Sequence, residues 1–374
     1  MEFFDDPALP RRPENDEFEL TVFGPGCGEC LVLHCGDQNW CVIDSCRYPR
    51  QSEPIALQYL DKLGVEPSAV RSILVTHWHD DHIRGMASLV RRCSSARLCI
   101  SGALHVEQFF QLVFEAEEAN KLVEASSSAS EFGEILGILE QRCDPPPHSV
   151  EDGSVIFQDV GGRHVSIQAV SPSPETVRQT RTMLAARILA DAPTRRFRRV
   201  GPNDLSVAVQ VMTPTRRLLL KADLEDSTDH LCGWKAVLSS RLSRPTDNCV
   251  VKIGHHGSSN ADNDDIWSNI VSDSPLSVVT PYSRLKEPLP RDADVRRILS
   301  RNGEAYCTTW PPSGRPPRRR QTDALMNTSA RNRRSLPRRS GAVRLRFSLV
   351  AVAGSPAVEL FGSARLLTPT LAAG

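Results

Sequence analysis

The sequence lacks the long apolar stretches that place a chain in a membrane. None of its hydrophobic runs approaches the roughly 20 residues that a transmembrane helix requires. Residues 1–6 are acidic, unlike the basic and then apolar pattern of a secretory signal. We therefore expect a cytoplasmic protein without a membrane partner.

Lysine is scarce, and there is no net charge. The chain has 39 arginines and 6 lysines, and its 45 basic side chains are matched by 45 acidic ones. Any attraction to a polyanion must therefore come from local clusters of arginine, whose fork can donate two hydrogen bonds to phosphate. A GC-rich genome, or a solvated loop, would give the same clusters. One lies in residues 315–339, and the other consists of Arg195, Arg196, Arg198 and Arg199.

The eleven cysteines are an odd number, and no export signal accompanies them. Reduced thiols are therefore expected. Cys27 and Cys30 have the spacing of half a structural zinc site, but no second pair follows at the usual distance. Cysteines on or next to predicted strands are better explained as small apolar core residues.

Metal-ligand side chains are concentrated at residues 76–82, which read Thr-His-Trp-His-Asp-Asp-His. The preceding residues 70–75 are apolar and β-branched, which predicts a buried strand that ends in this loop. The spacing can direct His77 and His79 at one ion and leave Asp81 and His82 facing a second. Imidazole with carboxylate suits zinc, manganese or iron rather than calcium.

Three other predicted strands also end in ligand-type residues. Asp44 follows residues 40–43, Asp223 follows 217–222, and His255 and His256 follow 249–253. One such ending is weak evidence, because aspartate commonly follows a strand or caps a helix. Four in one chain predict a single site at the ends of a layered sheet.

The order of these motifs resembles the metallo-β-lactamase superfamily. Within it, the chain is most similar to the soluble hydrolase domain of ComEC-like DNA-uptake proteins. The resemblance rests on Asp44, residues 76–82, Asp223 and residues 255–258. Residues 21–33, 203–209 and 296–308 add a similar first hairpin, a similar strand entry and a similar closing helix and strand. The resemblance implies an α/β fold, a four-layer αββα sandwich.

The predicted organisation has three parts. An acidic segment covers residues 1–17, and a hydrolase domain covers 18–312 with helical insertions at about 103–145 and 174–200. Residues 313–374 form an Arg-rich loop and a β-hairpin, a C-terminal β extension. Because the first insertion leaves the sheet next to the histidine loop, its helices could dock a partner protein.

The resemblance also implies roles in a dinuclear centre, with two Zn²⁺ or Mn²⁺ ions that share a nucleophilic hydroxide. His77 and His79 would bind the first ion, Asp81 and His82 the second, and Asp223 both. The sequence does not decide which of His255 and His256 binds the second ion. We place His255 on the second ion and His256 facing the substrate as an acid. Asp44 would orient a ligand imidazole. Three side chains could donate to a bound phosphate: Ser258, Ser259 and Asn260.

Two departures from the superfamily bear on the metal count. Lys221 and Ala222 precede Asp223 where relatives have Thr-Gly, and Ser171 and Pro172 stand where relatives have Leu-His-Pro. A further histidine ligand is therefore unplaced, and its candidates are His105, His148 and His164.

Three functions remain open from the sequence. The first is a phosphodiesterase or nuclease with a nucleic-acid partner. The second is a hydrolase of a small phosphoester, a thioester or a lactone on the same fold. The third is a regulatory or binding protein with a degenerate metal site.

Overall fold

A computed structural model of the chain describes residues 11–48, 51–104, 127–162, 164–189, 202–242, 246–301, 303–309, 340–352 and 354–369. Two eight-stranded sheets face each other, and helices cover their outer faces. The predicted αββα sandwich is confirmed.

The first sheet has the strand order β15-β14-β1-β2-β3-β4-β5-β6. Its strands β3 to β6 are parallel, whereas the hairpin of β14 and β15 joins antiparallel to β1. The hairpin of the C-terminal β extension is therefore part of this sheet. The strands are β1 (Glu17–Gly24), β2 (Cys30–His34), β3 (Trp40–Ile43), β4 (Val70–Val75), β5 (Arg97–Ser101), β6 (His148–Val150), β14 (Gly341–Ser348) and β15 (Ala357–Gly362).

The second sheet has the order β16-β13-β12-β11-β10-β9-β8-β7, with β10 to β13 parallel. Parallel strands bring their carboxyl ends to one edge, which is where loops of an α/β protein form sites. Its strands are β7 (Val155–Gln158), β8 (Ser166–Ala169), β9 (Val209–Met212), β10 (Arg217–Leu220), β11 (Asn248–Lys252), β12 (Val271–Val279), β13 (Glu304–Cys307) and β16 (Arg365–Leu366).

Helices form the two outer layers. The first sheet is covered by α1 (Ile55–Lys62), α2 (Asp80–Ile83), α3 (Met86–Arg92) and α4 (Ser127–Arg142). The remaining helices are α5 (Pro174–Leu189), α6 (Gly233–Ser239), α7 (Asp264–Asn269) and α8 (Asp292–Arg301). Helices α4 and α5 belong to the two predicted insertions, and residues 105–126 and 190–200 of these insertions lie outside the described ranges. No helix among the described residues has the length and apolar character to cross a bilayer.

Strand β1 shows why the layers form. Phe18, Leu20 and Val22 point into the core between the sheets, where β9 to β11 contribute further aliphatic side chains. Alternate residues of a strand face opposite sides, so Glu19 and Thr21 point toward the helix layer. Full burial of each large apolar side chain contributes about 1.5–3 kcal/mol, which makes this alternation decisive for the register.

A buried ionic network lies on the helix side of the first sheet. Glu19 is 0% exposed and accepts hydrogen bonds from Arg346 at 2.7 Å and from the Tyr59 hydroxyl at 2.6 Å. On the same face, Arg344 donates to Glu359 at 2.7 Å. The network therefore joins β1, β14, β15 and α1. Burial of these charges has a large desolvation cost, so each depends on its partner.

His34, at the end of β2, gives the fold a predicted acid sensitivity. Its Nδ1–H donates to the Glu17 carbonyl at 2.9 Å, and burial lowers the pKa of the ring from 6.5 to about 4. Below pH 6.5 the unfolded chain binds a proton that the folded chain rejects, so stability falls as the pH falls toward 4. Between pH 7 and 4.5 this loss amounts to about 2 kcal/mol.

Urea unfolding of the native chain and of His34→Asn, at pH 7 and at pH 4.5, tests this. The amide can keep the hydrogen bond to Glu17 but does not titrate. The variant is expected to lose about 2 kcal/mol less than the native chain between the two pH values, whatever its stability at pH 7. Equal losses in both proteins would contradict the assignment.

Candidate metal centre

Four strand ends bring the predicted site residues together. Strands β3 and β4 of the first sheet end directly before Asp44 and before residues 76–82. Strands β10 and β11 of the second end before Asp223 and before the pair of histidines. The loops meet across the gap between the sheets, where Nε2 of His77 lies 3.9 Å from Oδ2 of Asp223. Side chains far apart in sequence thus face one another.

The first group of potential ligands consists of His77, His79 and Asp223. Nε2 of His77 lies 3.1 Å from Nδ1 of His79 and 3.9 Å from Oδ2 of Asp223. His77 is fully buried, and burial lowers its pKa well below the usual range. A neutral imidazole has a lone pair that can coordinate a cation.

The second group surrounds the other side of Asp223. Oδ2 of Asp223 lies 3.5 Å from Nε2 of His82 and 3.9 Å from Nε2 of His256. Oδ2 of Asp81 lies 3.0 Å from His256 and 3.7 Å from His82. A buried oxygen of Glu29 also lies within 4.8 Å of the ligand atoms of His82, His256 and Asp223.

The two groups fit divalent cations. Nε2 of His82 and Oδ1 of Asp223 are buried, and neither has a hydrogen-bond partner within the described part of the chain. A buried polar atom without a partner is costly, and a bound cation would satisfy both. Mixed imidazole and carboxylate donors suit Zn²⁺ or Mn²⁺. No cysteine belongs to either group among the described residues.

The charges of the second group depend on one another. Burial disfavours a charged His82, but the carboxylates of Asp223 and Asp81 outweigh burial and raise its pKa well above the usual range. Burial would likewise raise the pKa of Asp81, and the imidazoles of His82 and His256 reverse this, so that the pKa is lowered. A proton on Nε2 of His82 and a bound cation would compete for the same lone pair, so metal binding would release that proton.

Outer hydrogen bonds fix the ligand imidazoles. Asp44 accepts from Nδ1–H of His82 at 2.7 Å and from the amide and hydroxyl of Thr76, both at 2.8 Å. His256 donates its Nδ1–H to the Thr280 carbonyl at 2.8 Å. In each ring the tautomer leaves Nε2 directed at the ligand cluster. Asp44, for which the sequence predicts an orienting role, thus lies within hydrogen-bond distance of His82.

Backbone strain is concentrated at the same loops. Asp44, Ala222, His255 and His256 have φ values of 59°, 45°, 44° and 54°. This left-handed region costs a residue with a Cβ about 1–2 kcal/mol. Such strain is typical of functional sites, where the surrounding contacts hold the chain in place.

The structure distinguishes the two adjacent histidines. His256 is buried within the second group, whereas His255 is 19% exposed at the rim, with Nε2 4.0 Å from Oδ2 of Asp223. Its Nδ1 lies 3.2 Å from Glu225 and 3.1 Å from Oδ1 of Asn260. The geometry thus favours His256 as the ligand and His255 as the group that faces the opening, the reverse of our expectation from sequence.

The other predicted substrate contacts are distributed differently. Asn260 is exposed at the rim, as is Ser259, whereas Ser258 lines a small cavity behind the loop with Lys221 and Trp267. Arg195, Arg196, Arg198 and Arg199 lie outside the described residues, as does the 315–339 cluster.

A further histidine ligand is not found in the described part of the chain. His148 begins the edge strand β6, His164 is an exposed turn residue, and neither belongs to a ligand group there; His105 lies outside the described ranges. Ser171 is buried and bonds to Ser206 and Ala208, a structural role.

Lys221, the departure before Asp223, points toward the outer helices. Its Nζ lies 4.8 Å from the Trp234 ring, 5.3 Å from the Trp267 ring and 3.9 Å from Oδ1 of Asp262. Burial lowers its pKa to about 8. Cation–π contacts and a carboxylate therefore hold the lysine away from the ligand cluster.

Comparison with known proteins agrees with this architecture. Residues 28–162 match the model of the Metallo-beta-lactamase superfamily, a span that includes the whole 76–82 motif. The chain has the fold of this superfamily. No curated protein matches the sequence.

Several solved structures are similar. The metallo-beta-lactamase fold protein YhfI from Bacillus subtilis has 11% identity and a TM-score of 0.38, with 78% of this chain and 96% of that chain covered. Human tRNase Z, short form, has 14% identity and a TM-score of 0.32, covering 67% and 83%. Similarities of this size carry no information about activity.

Proposed function

We propose that the protein is a metal-dependent phosphodiesterase that acts on nucleic acid. The observation that carries the proposal is the convergence of buried imidazoles and carboxylates on Asp223, where Nε2 of His82 and Oδ1 of Asp223 have no hydrogen-bond partner in the described part of the chain. The superfamily whose model matches consists mostly of metal-dependent hydrolases. The ComEC-like order of the motifs and the arginine clusters support a phosphodiester substrate.

The chain's own residues have distinct tasks in this proposal. His77 and His79 would hold one cation, His82, His256 and Asp81 the other, and Asp223 both. Bound divalent ions supply a Lewis acid that activates water and offsets negative charge on phosphoryl oxygens. Asp44 keeps the His82 ring oriented, and the strained loop keeps His256 inside the cluster.

His255 is assigned to the leaving group. It sits at the rim with one nitrogen held by Glu225, and Asn203 donates to the same carboxylate at 2.7 Å. The second nitrogen, Nε2, lies 4.0 Å from Oδ2 of Asp223 and 3.4 Å from the amide nitrogen of Asn203, and in its protonated form it can donate to a leaving oxygen. The exposed Asn260 lies beside it and can donate to the phosphate. A rim of this kind suits an alcohol leaving group such as a nucleoside hydroxyl.

Hydrolysis of bis-p-nitrophenyl phosphate and of labelled single- and double-stranded DNA and RNA tests the proposal. The native chain is expected to cleave with added Zn²⁺ or Mn²⁺ and to stop with a chelator. The hydrolysis rate of the His79→Ala/Asp81→Ala variant should fall about 10³-fold or more, since metal ions stabilise the transition state by several kcal/mol. Asp80→Ala is the matched control: Asp80 is adjacent but half exposed and within 3.5 Å of Arg84.

Two results would count against it. Cleavage that is equal in the native chain and in the double variant would place the reaction elsewhere. Bound metal without cleavage of any phosphodiester would favour a thioester, lactone or small phosphoester substrate.

A further inference from the structure

Glu29 is a buried acid whose position the sequence does not reveal. It lies in the turn between β1 and β2, is 1% exposed, and its amide donates to the Asp81 carbonyl at 3.0 Å. Its side chain enters the ligand cluster from the first hairpin, where one of its oxygens lies within 4.8 Å of the ligand atoms of His82, Asp223 and His256.

The carboxylate of Glu29 is held from behind. Oε2 forms an ion pair with Nζ of Lys252 and accepts from the Thr280 hydroxyl at 2.7 Å. Lys252 is 1% exposed, so the pair is removed from water. A buried carboxylate that is bonded and paired stays charged, and Lys252 offsets the excess of negative charge at this end of the cluster.

The second ligand group is therefore richer in oxygen than the first. The first has two imidazoles and the carboxylate of Asp223. The second has two imidazoles, Asp223 and Asp81, with Glu29 as a third carboxylate. Structural zinc sites are usually satisfied by four ligands, whereas manganese favours oxygen donors and a larger set of them. The two groups thus differ in the cation that they favour.

We propose that Glu29 is a ligand-shell residue of the second centre and sets its preference toward Mn²⁺ relative to Zn²⁺, with Lys252 as the residue that positions it. The inference rests on the metal centre of the proposed function. It does not depend on the substrate, so it can be tested by metal binding alone.

The test measures both cations on metal-free full-length protein. Bound Mn²⁺ is followed by loss of the free-ion EPR signal, and Zn²⁺ by competition with a chromophoric chelator. Glu29→Gln is expected to lower the affinity of the second centre for Mn²⁺ by about 100-fold and its affinity for Zn²⁺ by about 10-fold. Lys252→Met should give a smaller shift in the same direction.

Two further variants separate a ligand role from other causes. Glu225→Gln removes a carboxylate at the rim and so lowers the negative charge near the site without touching Glu29. If only general charge matters, this variant should weaken the binding of Mn²⁺ and of Zn²⁺ by the same factor. The Glu29→Gln/Lys252→Met variant removes the pair together, so that no charge is left buried alone. It should fold better than Glu29→Gln but show the same loss of Mn²⁺ preference.

An unchanged ratio of Mn²⁺ to Zn²⁺ affinity in Glu29→Gln would overturn the inference and leave the phosphodiesterase proposal intact. Fewer than two ions per native chain would overturn the inference as well. No bound metal of either kind would overturn both proposals. Two ions with the predicted shift, but no phosphodiester cleavage, would support the inference alone.

Discussion

Replacing Asp223 by asparagine is expected to remove both metal ions and to lower phosphodiesterase kcat/KM by about 10³-fold or more. One oxygen of Asp223 lies within 4.0 Å of a nitrogen in each of His77, His82 and His256. Both ligand groups therefore share this carboxylate, and a neutral amide cannot balance two cations. Elemental analysis after dialysis gives the metal content, and steady-state hydrolysis of bis-p-nitrophenyl phosphate gives the rate.

His79→Gln is the comparison for this experiment. His79 belongs to the first group alone, so this variant is expected to retain one ion per chain where Asp223→Asn retains none. Retention of two ions by Asp223→Asn, at native affinity, would show that Asp223 does not connect the two groups.

Arg346→Met is expected to destabilise the fold by about 3–5 kcal/mol. The arginine is 1% exposed and pairs with the fully buried Glu19, which the substitution would leave without its cationic partner. Methionine keeps much of the side-chain volume, so the loss of stability measures mainly the removal of the positive charge. Urea unfolding at pH 7, followed by far-ultraviolet circular dichroism, measures the free-energy difference.

The Glu19→Gln/Arg346→Met variant should recover a large part of that loss, because no isolated charge remains buried. A double variant whose loss equals the sum of the two single losses would mean that the pair is not coupled. Arg92, which pairs with Asp61 at 2.7 Å but is 44% exposed, offers a contrast: Arg92→Met should cost at most about 1 kcal/mol.

Much of the site follows from local sequence. A strand that ends in closely spaced ligands determines where His77, His79, Asp81 and His82 can point, since the loop is short. The apolar runs at 40–43, 70–75 and 217–220 likewise predict buried strands, because few other structures bury such residues. Asp44 and Asp223 then follow from their positions at strand ends.

The remaining parts depend on contacts between distant residues. Glu29 and Lys252 are 223 positions apart, and nothing in either neighbourhood indicates a pair. The choice between His255 and His256 depends on two consecutive left-handed residues, a conformation that sequence does not reveal. Arg344 and Arg346 occupy a predicted hairpin, yet their burial depends on Glu19, Tyr59 and Glu359.

The pairing of β1 with β14 has a consequence for synthesis of the chain. Gly24 pairs with Gly341 and Glu17 with Ser348, so β1 leaves the ribosome long before its neighbour exists. At bacterial or eukaryotic elongation rates the delay is roughly 15–60 seconds. During that time one edge of β1 is unpaired and Glu19 lacks its cationic partner Arg346, which favours misassociation with other nascent strands. A chaperone that shields this edge until residue 348 emerges would therefore raise the yield of folded protein more than one that acts on the finished chain.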